Sequence, residues 1–348
     1  MNRNYGIDLL RLVLMYMICI LHTIQQGGII NACEIGTMGY NVYMFLVILC
    51  YCAVDGFALI SGYTASDKPQ KYSKIVDMWF QVFFYSYIVT LLFYIVFPNN
   101  DILFLLLEYK LPVTNRAFWY FTAYFALFFA KPVLNKFIFS IDIETSKKAL
   151  IIIITLFSML SVFADPFNLN AGYSALWLIV LYIIGALAKR VKLFESRKTL
   201  TLIIWWLGCI ILTWAIQCLS GNENIIVSYL SPTILFSGLF MVILFSRIRL
   251  NGKIIGKLSP LAFGIYLFHL NKVIWLRIIH DSFAFVASMD IAVGVICVFS
   301  IAAAIFLSGM IVEFIRTLFA RLLRIHLLSE KIVEICKLLL SKIAALIK

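Results

Sequence analysis

Charge is scarce in this chain. Of 348 residues only 13% are Asp, Glu, Lys or Arg, about half the share of a soluble globular domain. With 63% hydrophobic residues and a mean hydropathy of +1.00, a water-soluble fold is excluded and an integral membrane protein is indicated. Linkers rich in Pro, Gly or Ser and low-complexity stretches are absent, so the apolar segments form one domain. No internal repeat stands out, which weighs against transporters built from two related halves. No Ala-x-Ala-type site follows the first apolar run, and Arg11 and His22 inside it argue against a removable signal peptide. The cysteines (Cys19, Cys33, Cys50, Cys52, Cys209, Cys218, Cys297 and Cys336) form no Cys-x-x-Cys pair and no Cys/His ligand spacing, so they read as packing residues and no metal site is expected. A Cys33–Cys218 disulfide on the outer face is geometrically open but unsupported.

What is present is a succession of apolar runs of the length a bilayer demands, about 20 residues each. They predict ten helical spans near 8–28, 39–64, 76–97, 118–138, 148–164, 173–188, 200–219, 227–246, 258–280 and 290–315. The predicted fold class is therefore all-α, a polytopic transmembrane helix bundle. Lys and Arg alternate between the connections. Segments 1–11, 65–75, 136–148, 189–199, 247–257 and 316–348 hold 24 of the 29, whereas the loops between them hold only Lys110 and Arg116. Positive residues stay on the cytoplasmic side, so both termini are expected inside. The net charge of +12 is explained by this orientation and by anionic lipid, with no nucleic acid implied. A transmembrane domain over 1–315 and a cytoplasmic tail over 316–348 are expected. The tail alternates apolar groups with Arg321, Arg324, Lys331, Lys337, Lys342 and Lys348, which suits a basic amphipathic helix on the inner leaflet. The longest outer connection, 98–117, is expected to form a short interfacial helix.

Ionisable residues within spans are costly unless they face a polar interior, so each is a candidate site residue. Arg11 and His22 are eleven helical steps apart, three turns plus ~20°, and Asp8 falls near the same stripe. Asp55 lies about 15 Å into the second span, where a carboxylate must be protonated, paired or wet, and a polar cavity is expected around it. Ser61 and Gly62 nearby read first as helix-packing residues. In the ninth span Ser259-Pro260 reads as a helix start, with Tyr266 and His269 on one side about 15 Å further on. Trp119 and Tyr120 fit an interfacial aromatic belt and, as a secondary reading, a sugar-stacking surface. His280 and His326 have no catalytic neighbour in sequence.

Histidine is suited to general-base work near neutral pH. His22 is positioned to take a proton from an acceptor hydroxyl that attacks a thioester, with Arg11 holding donor phosphates or a carboxylate and Asp8 or Asp55 orienting a partner. Four patches then resemble one family. Ile7-Asp8-Leu-Leu-Arg11 with ten residues before His22 is similar to an Arg-x10-His signature. Val54-Asp55-x-Phe57 through Ser61-Gly62-Tyr63 looks like a Val-Asp-x-Phe-Phe-x-x-Ser-Gly-Tyr segment. Trp119-Tyr-Phe-Thr-Ala-Tyr124 through Pro132-Val-Leu-Asn135, and Gly256-Lys-Leu-Ser259 through Tyr266-Leu-Phe-His269, complete the order. The chain thus resembles the membrane acyltransferase-3 family, whose bacterial members typically O-acetylate surface polysaccharides with cytoplasmic acetyl-CoA.

The resemblance implies His22 as the essential catalytic residue with Arg11 required beside it and Asp8 in support. It implies donor- or substrate-binding roles for Asp55, Ser61, Tyr63, Trp119, Ser259, Tyr266 and His269. It further implies acetyl-CoA as donor with no permanently bound cofactor, a glycan or lipid-linked oligosaccharide acceptor, and a multi-pass location in the bacterial plasma membrane. Two departures stand out. Lys68, Lys71 and Lys74 occupy a stretch that is Arg-rich in many members, and Ala58 follows Phe57 in place of a second Phe. No extracytoplasmic esterase-like domain is expected, so the membrane domain would complete the transfer. The competing reading is a transporter or flippase of a lipid-linked glycan; a third is a scaffold whose buried charges lock helix packing.

Overall fold

The computed structural model describes residues 3–96, 98, 111–220 and 226–346. Within them the chain is helical with no strand. Five helices are long and apolar enough to cross a membrane, Tyr5–Ala32, Met38–Tyr63, Ser73–Val96, Thr199–Leu219 and Ile291–Leu322, and a sixth is bent by 58° between Lys253–His269 and Lys272–Ser288. Helices also occupy the remaining expected spans: Trp119–Ser140, Ile143–Ile154, Ala175–Arg190 and Pro232–Ser246. The interfacial helix expected over 98–117 falls mostly outside the described residues, and 111–118 forms turns.

The first helix, α1 (Tyr5–Gln25), is the axis of the bundle. Asn4 caps it, its side chain accepting from the N–H groups of Gly6 and Ile7. It packs against α2 (Met38–Tyr51), α3 (Ala53–Tyr63), α4 (Pro232–Ser246) and α5 (Ile291–Leu322). The second expected span is two helices, broken at Cys52, whose ψ of −6° departs from helical values. α3 meets α6 (Ala175–Arg190) at reciprocal glycines. A Cβ on Gly62 would run into the Tyr182 carbonyl, and one on Gly185 into the Leu59 carbonyl. Bare glycines permit this backbone approach, as is usual where helices associate in lipid.

Ser259 does not start a helix as its sequence context suggests. The helix opens at Lys253, tightens to a 3-10 turn over Ser259–Leu261 and continues as α7 (Ala262–His269). Ser259 is free of capping duty because its hydroxyl donates to Asp8 instead (3.2 Å). The ninth span also breaks after His269. Asn271 caps the next segment through the N–H groups of Val273 and Ile274, and its amide donates to the Tyr85 carbonyl (2.8 Å) and the Thr90 hydroxyl (2.9 Å). That carbonyl lies in a π segment, Phe84–Val89, where the helical ladder is loosened.

α5 runs on past residue 315 to Leu322, and the tail forms α8 (Ile325–Leu346), which packs on the helix Ser73–Phe83. All eight cysteines are free thiols.

Candidate active site

His22 sits in the last turn of α1, about one turn past Ile18. Its Nδ1 lies 3.0 Å from Nε2 of the fully buried His269. His269 Nδ1 is 2.6 Å from the Ile265 carbonyl, one turn back on α7. A carbonyl can only accept, so His269 carries its proton on Nδ1. With both rings neutral, His269 Nε2 is then an acceptor, His22 donates to it through Nδ1, and the lone pair of His22 is left on Nε2. That nitrogen has no hydrogen-bond partner among the described residues. The Trp275 ring meets His22 edge-on at 5.9 Å.

His22 lines a cavity of about 320 Å³ with Trp119, Tyr120, Tyr173, Tyr229 and Tyr266. Gln25, Gln26 and Trp275 also face it. Trp119, placed by sequence in a membrane belt or a sugar platform, lies tilted against Tyr173 at 4.8 Å in this wall. Tyr266 accepts the Tyr120 backbone N–H (3.2 Å), which leaves its own hydroxyl proton uncommitted.

Inward lies a second cavity of about 600 Å³, sharing Phe57, Tyr120 and Phe263 with the first. Arg11, Lys68, Lys71, Lys74 and Lys131 line it, and no carboxylate does. The three lysines that stand where the resemblance would have arginines therefore do reach a cavity. Lys131 donates to Ser61 Oγ and to the Tyr124 hydroxyl, both at 2.9 Å, and lies over the Tyr124 ring. Ser61 thus serves a polar wall rather than helix packing alone. A third cavity of about 880 Å³ shares Arg11 with the second and is lined by Arg3, Tyr63, Lys189, Lys192, Arg247 and Arg249. The Tyr63 hydroxyl donates to Ser246, and Lys189 lies 4.8 Å over its ring.

The acids stand apart from His22. Asp8 accepts from Arg11 Nη1 (2.8 Å) and Arg3 Nε (2.5 Å), while Arg3 also bonds the Gly256 carbonyl. It clasps the inner end of α1 to the segment before α7. At the solvent-facing terminus this clasp raises the Arg3 pKa above its ordinary value, chiefly through the hydrogen bond to Asp8. Asp55 is fully buried, accepts from Trp177 Nε1 (3.1 Å) on one oxygen and has no partner on the other. It does not line the three cavities described above, in contrast to the polar cavity expected around it. No hydrogen bond joins either carboxylate to His22; the residue that orients it is His269.

A family model for an acyltransferase domain matches residues 4–312. The chain belongs to the acyltransferase-3 family. No curated protein and no solved structure matches it. For an acyltransferase-3 protein the arrangement is chemically apt: a histidine with an open lone pair and a free tyrosyl O–H at one end, and a cluster of cations at the other. His280 and His326 lie elsewhere, against Asp281 (3.1 Å) and Asp77 (2.9 Å). Among the described residues no cluster of His, Cys, Asp and Glu could hold a metal.

Sequence reasoning passed over Lys131, although a lysine inside an apolar helix was a visible signal. Tyr173 and Tyr229 carried none, because they come from separate loops joined only by folding. Glu313 was also missed. It is buried in α5, held by Arg316 (2.6 Å) and the Tyr85 hydroxyl (2.9 Å), and sits where Gly264 of α7 leaves room for it.

Proposed function

We propose that the protein is a membrane O-acyltransferase that carries an acetyl group from cytoplasmic acetyl-CoA to a sugar hydroxyl of a surface or exported polysaccharide. The observation that carries this reading is the His22–His269–Ile265 chain, which leaves an open ring nitrogen on a cavity that shares the wall of Phe57, Tyr120 and Phe263 with a basic one. In this reading the chain makes ten crossings with both termini inside. All six segments rich in Lys and Arg gather toward one end: the first, second, fourth and fifth meet in the cavity of Arg3, Ala65, Lys189 and Arg247. The third is tied to Arg190 through Ser146 (3.1 Å), and the sixth to Asp77 through His326. The membrane is the bacterial plasma membrane.

The donor's phosphates would lie against Arg11, Lys131 and the lysines of 68–74, whose charge no carboxylate in that cavity cancels, so a polyanion gains what water otherwise supplies. The Arg11–His22 rise of ~16 Å then sets the pantetheine arm through the constriction at Phe57, Tyr120 and Phe263, with the thioester beside His22. An acceptor hydroxyl gives its proton to His22 Nε2 as its oxygen bonds the thioester carbonyl carbon. The Tyr266 hydroxyl is placed to donate to the resulting oxyanion. As the carbon–sulfur bond breaks, His22 returns the proton to the departing thiolate. The sugar ring stacks on Trp119, Tyr173 and Tyr229, with Gln25 and Gln26 supplying amide hydrogen bonds.

His22→Ala is expected to insert and fold normally yet abolish acetylation, read by mass spectrometry of the surface glycan. Full acetylation in that variant would remove His22 as the base. Loss of the whole polymer, with its precursor still acetylated, would favour a flippase instead.

A further inference from the structure

Where α5 gives way to α8, a cavity of about 470 Å³ opens between these helices and the helix Ser73–Phe83. It meets the basic cavity of Arg11 and Lys131 only at Met78 and has its own charge. Arg321 and Arg324 line it, are exposed, and take part in no ion pair among the described residues. Arg316 adds a third guanidinium; its Nε and Nη2 hold Glu313, and its Nη1 has no partner. The acid in the wall, Asp77, is engaged by His326 (2.9 Å). Gln81 also lines the cavity. It is only 8% exposed, and its side-chain amide has no hydrogen-bond partner among the described residues. An amide that lines the same cavity as three guanidinium groups suits an anionic oxygen ligand, since guanidinium and amide N–H groups donate to phosphate oxygens.

Position names the ligand. α5 has 32 residues, so it is ~48 Å long against a hydrocarbon core of about 30 Å. Its last turns therefore emerge at headgroup level, on the side where the basic segments gather. Around the cavity Leu322, Leu323, Phe319 and Leu327 are exposed at 76%, 67%, 56% and 49%. Cations beside a continuous apolar surface fit a molecule with a phosphate at one end and acyl chains at the other.

We propose that this cavity binds the headgroup of an anionic phospholipid, whose phosphate bridges Arg321, Arg324 and Gln81 and whose chains lie along the exposed leucines. The bound lipid mortars α8 to the bundle. Basic pockets between helices at the inner leaflet are suited to such headgroups.

The full chain, purified in detergent, tests this by native mass spectrometry with added phosphatidylglycerol or phosphatidylethanolamine. Retention of phosphatidylglycerol over phosphatidylethanolamine is expected. It should fall at least fivefold in the double variant Arg321→Gln, Arg324→Gln. Both arginines are exposed, so the unfolding temperature of the lipid-free variant should not change. Lys331→Gln with Lys337→Gln removes the same charge from α8 outside the cavity and should leave retention intact. Equal retention of the two lipids, or an equal fall in the lysine variant, would overturn the built site in favour of diffuse attraction. Displacement of the lipid by millimolar inorganic phosphate or coenzyme A would assign the cavity to a soluble phosphate instead. None of these variants touches the His22 cavity, so acyl transfer and lipid binding stand or fall separately.

Discussion

His269 was expected to bind substrate, yet its ring touches His22 and the Ile265 carbonyl rather than lining the cavity. In the proposed mechanism it is a positioning residue that sets the tautomer of His22. Gln at 269 can still offer an oxygen near the position of Nε2, whereas Leu cannot. His269→Gln is therefore expected to keep most of kcat, and His269→Leu to lose about 10–100-fold with little change in acceptor KM, less than the roughly 10²–10⁴-fold of a general base itself. Equal loss in both variants would show that His269 itself moves a proton. In the proposed mechanism Lys131 belongs to the donor end. Lys131→Met is expected to raise the KM for acetyl-CoA about tenfold or more, the cost of one charge-assisted hydrogen bond, with kcat nearly unchanged. An unaltered KM would take Lys131 out of the donor site. Arg11 and His22 were legible in the chain as ionisable groups in an apolar run, and so was Lys131 in principle. The His22–His269 contact was not, because 247 residues separate the partners and no periodicity within either helix encodes the distance between them.

At the level of elements, a helix stands in each apolar run, and five of them, with a sixth that is bent, are long and apolar enough to cross a membrane, since a helix must satisfy its own backbone across lipid. Apolar run length did not locate the breaks at Cys52 and after His269, because both sides of each break are equally apolar. The bend after His269 rests on Asn271. Asn271→Ala would leave the Tyr85 carbonyl unpaired, and the loss of its bonds is expected to cost about 1–3 kcal/mol, seen as a lower unfolding temperature in detergent. A variant as stable as the parent would show that the bend is held by packing alone. Ser259-Pro260 shows the opposite failure. A local start signal was present, but the Asp8 clasp claimed the hydroxyl, and tertiary contact outweighed local preference.

For the whole molecule, charge distribution in the loops and geometry in the cavities bear on the same question of sidedness. Single cysteines in a cysteine-free background test it in intact cells with a membrane-impermeant thiol reagent. Ser282→Cys, in the loop at 281–289 that the charge pattern assigns to the outside, is expected to label, and Glu195→Cys only after the membrane is breached. The reverse pattern would turn the proposed donor path outward, away from cytoplasmic acetyl-CoA. Three cavities follow one another with shared wall residues, basic at one end and aromatic around His22 at the other.

The amino-acid sequence determined by itself that this chain lives in a membrane, where its helices lie and which ionisable residues need explaining. Transfer free energy acts on each segment separately, and motif order is itself a property of the string. Only the tertiary structure decided that Asp8 is a clasp, that Asp55 is buried on Trp177 outside the cavities and that His269 directs the lone pair of His22. Those roles depend on which helices touch. That is settled by Gly62, Gly185 and Gly264 admitting their neighbours, a contact between distant parts of the chain that no local pattern specifies.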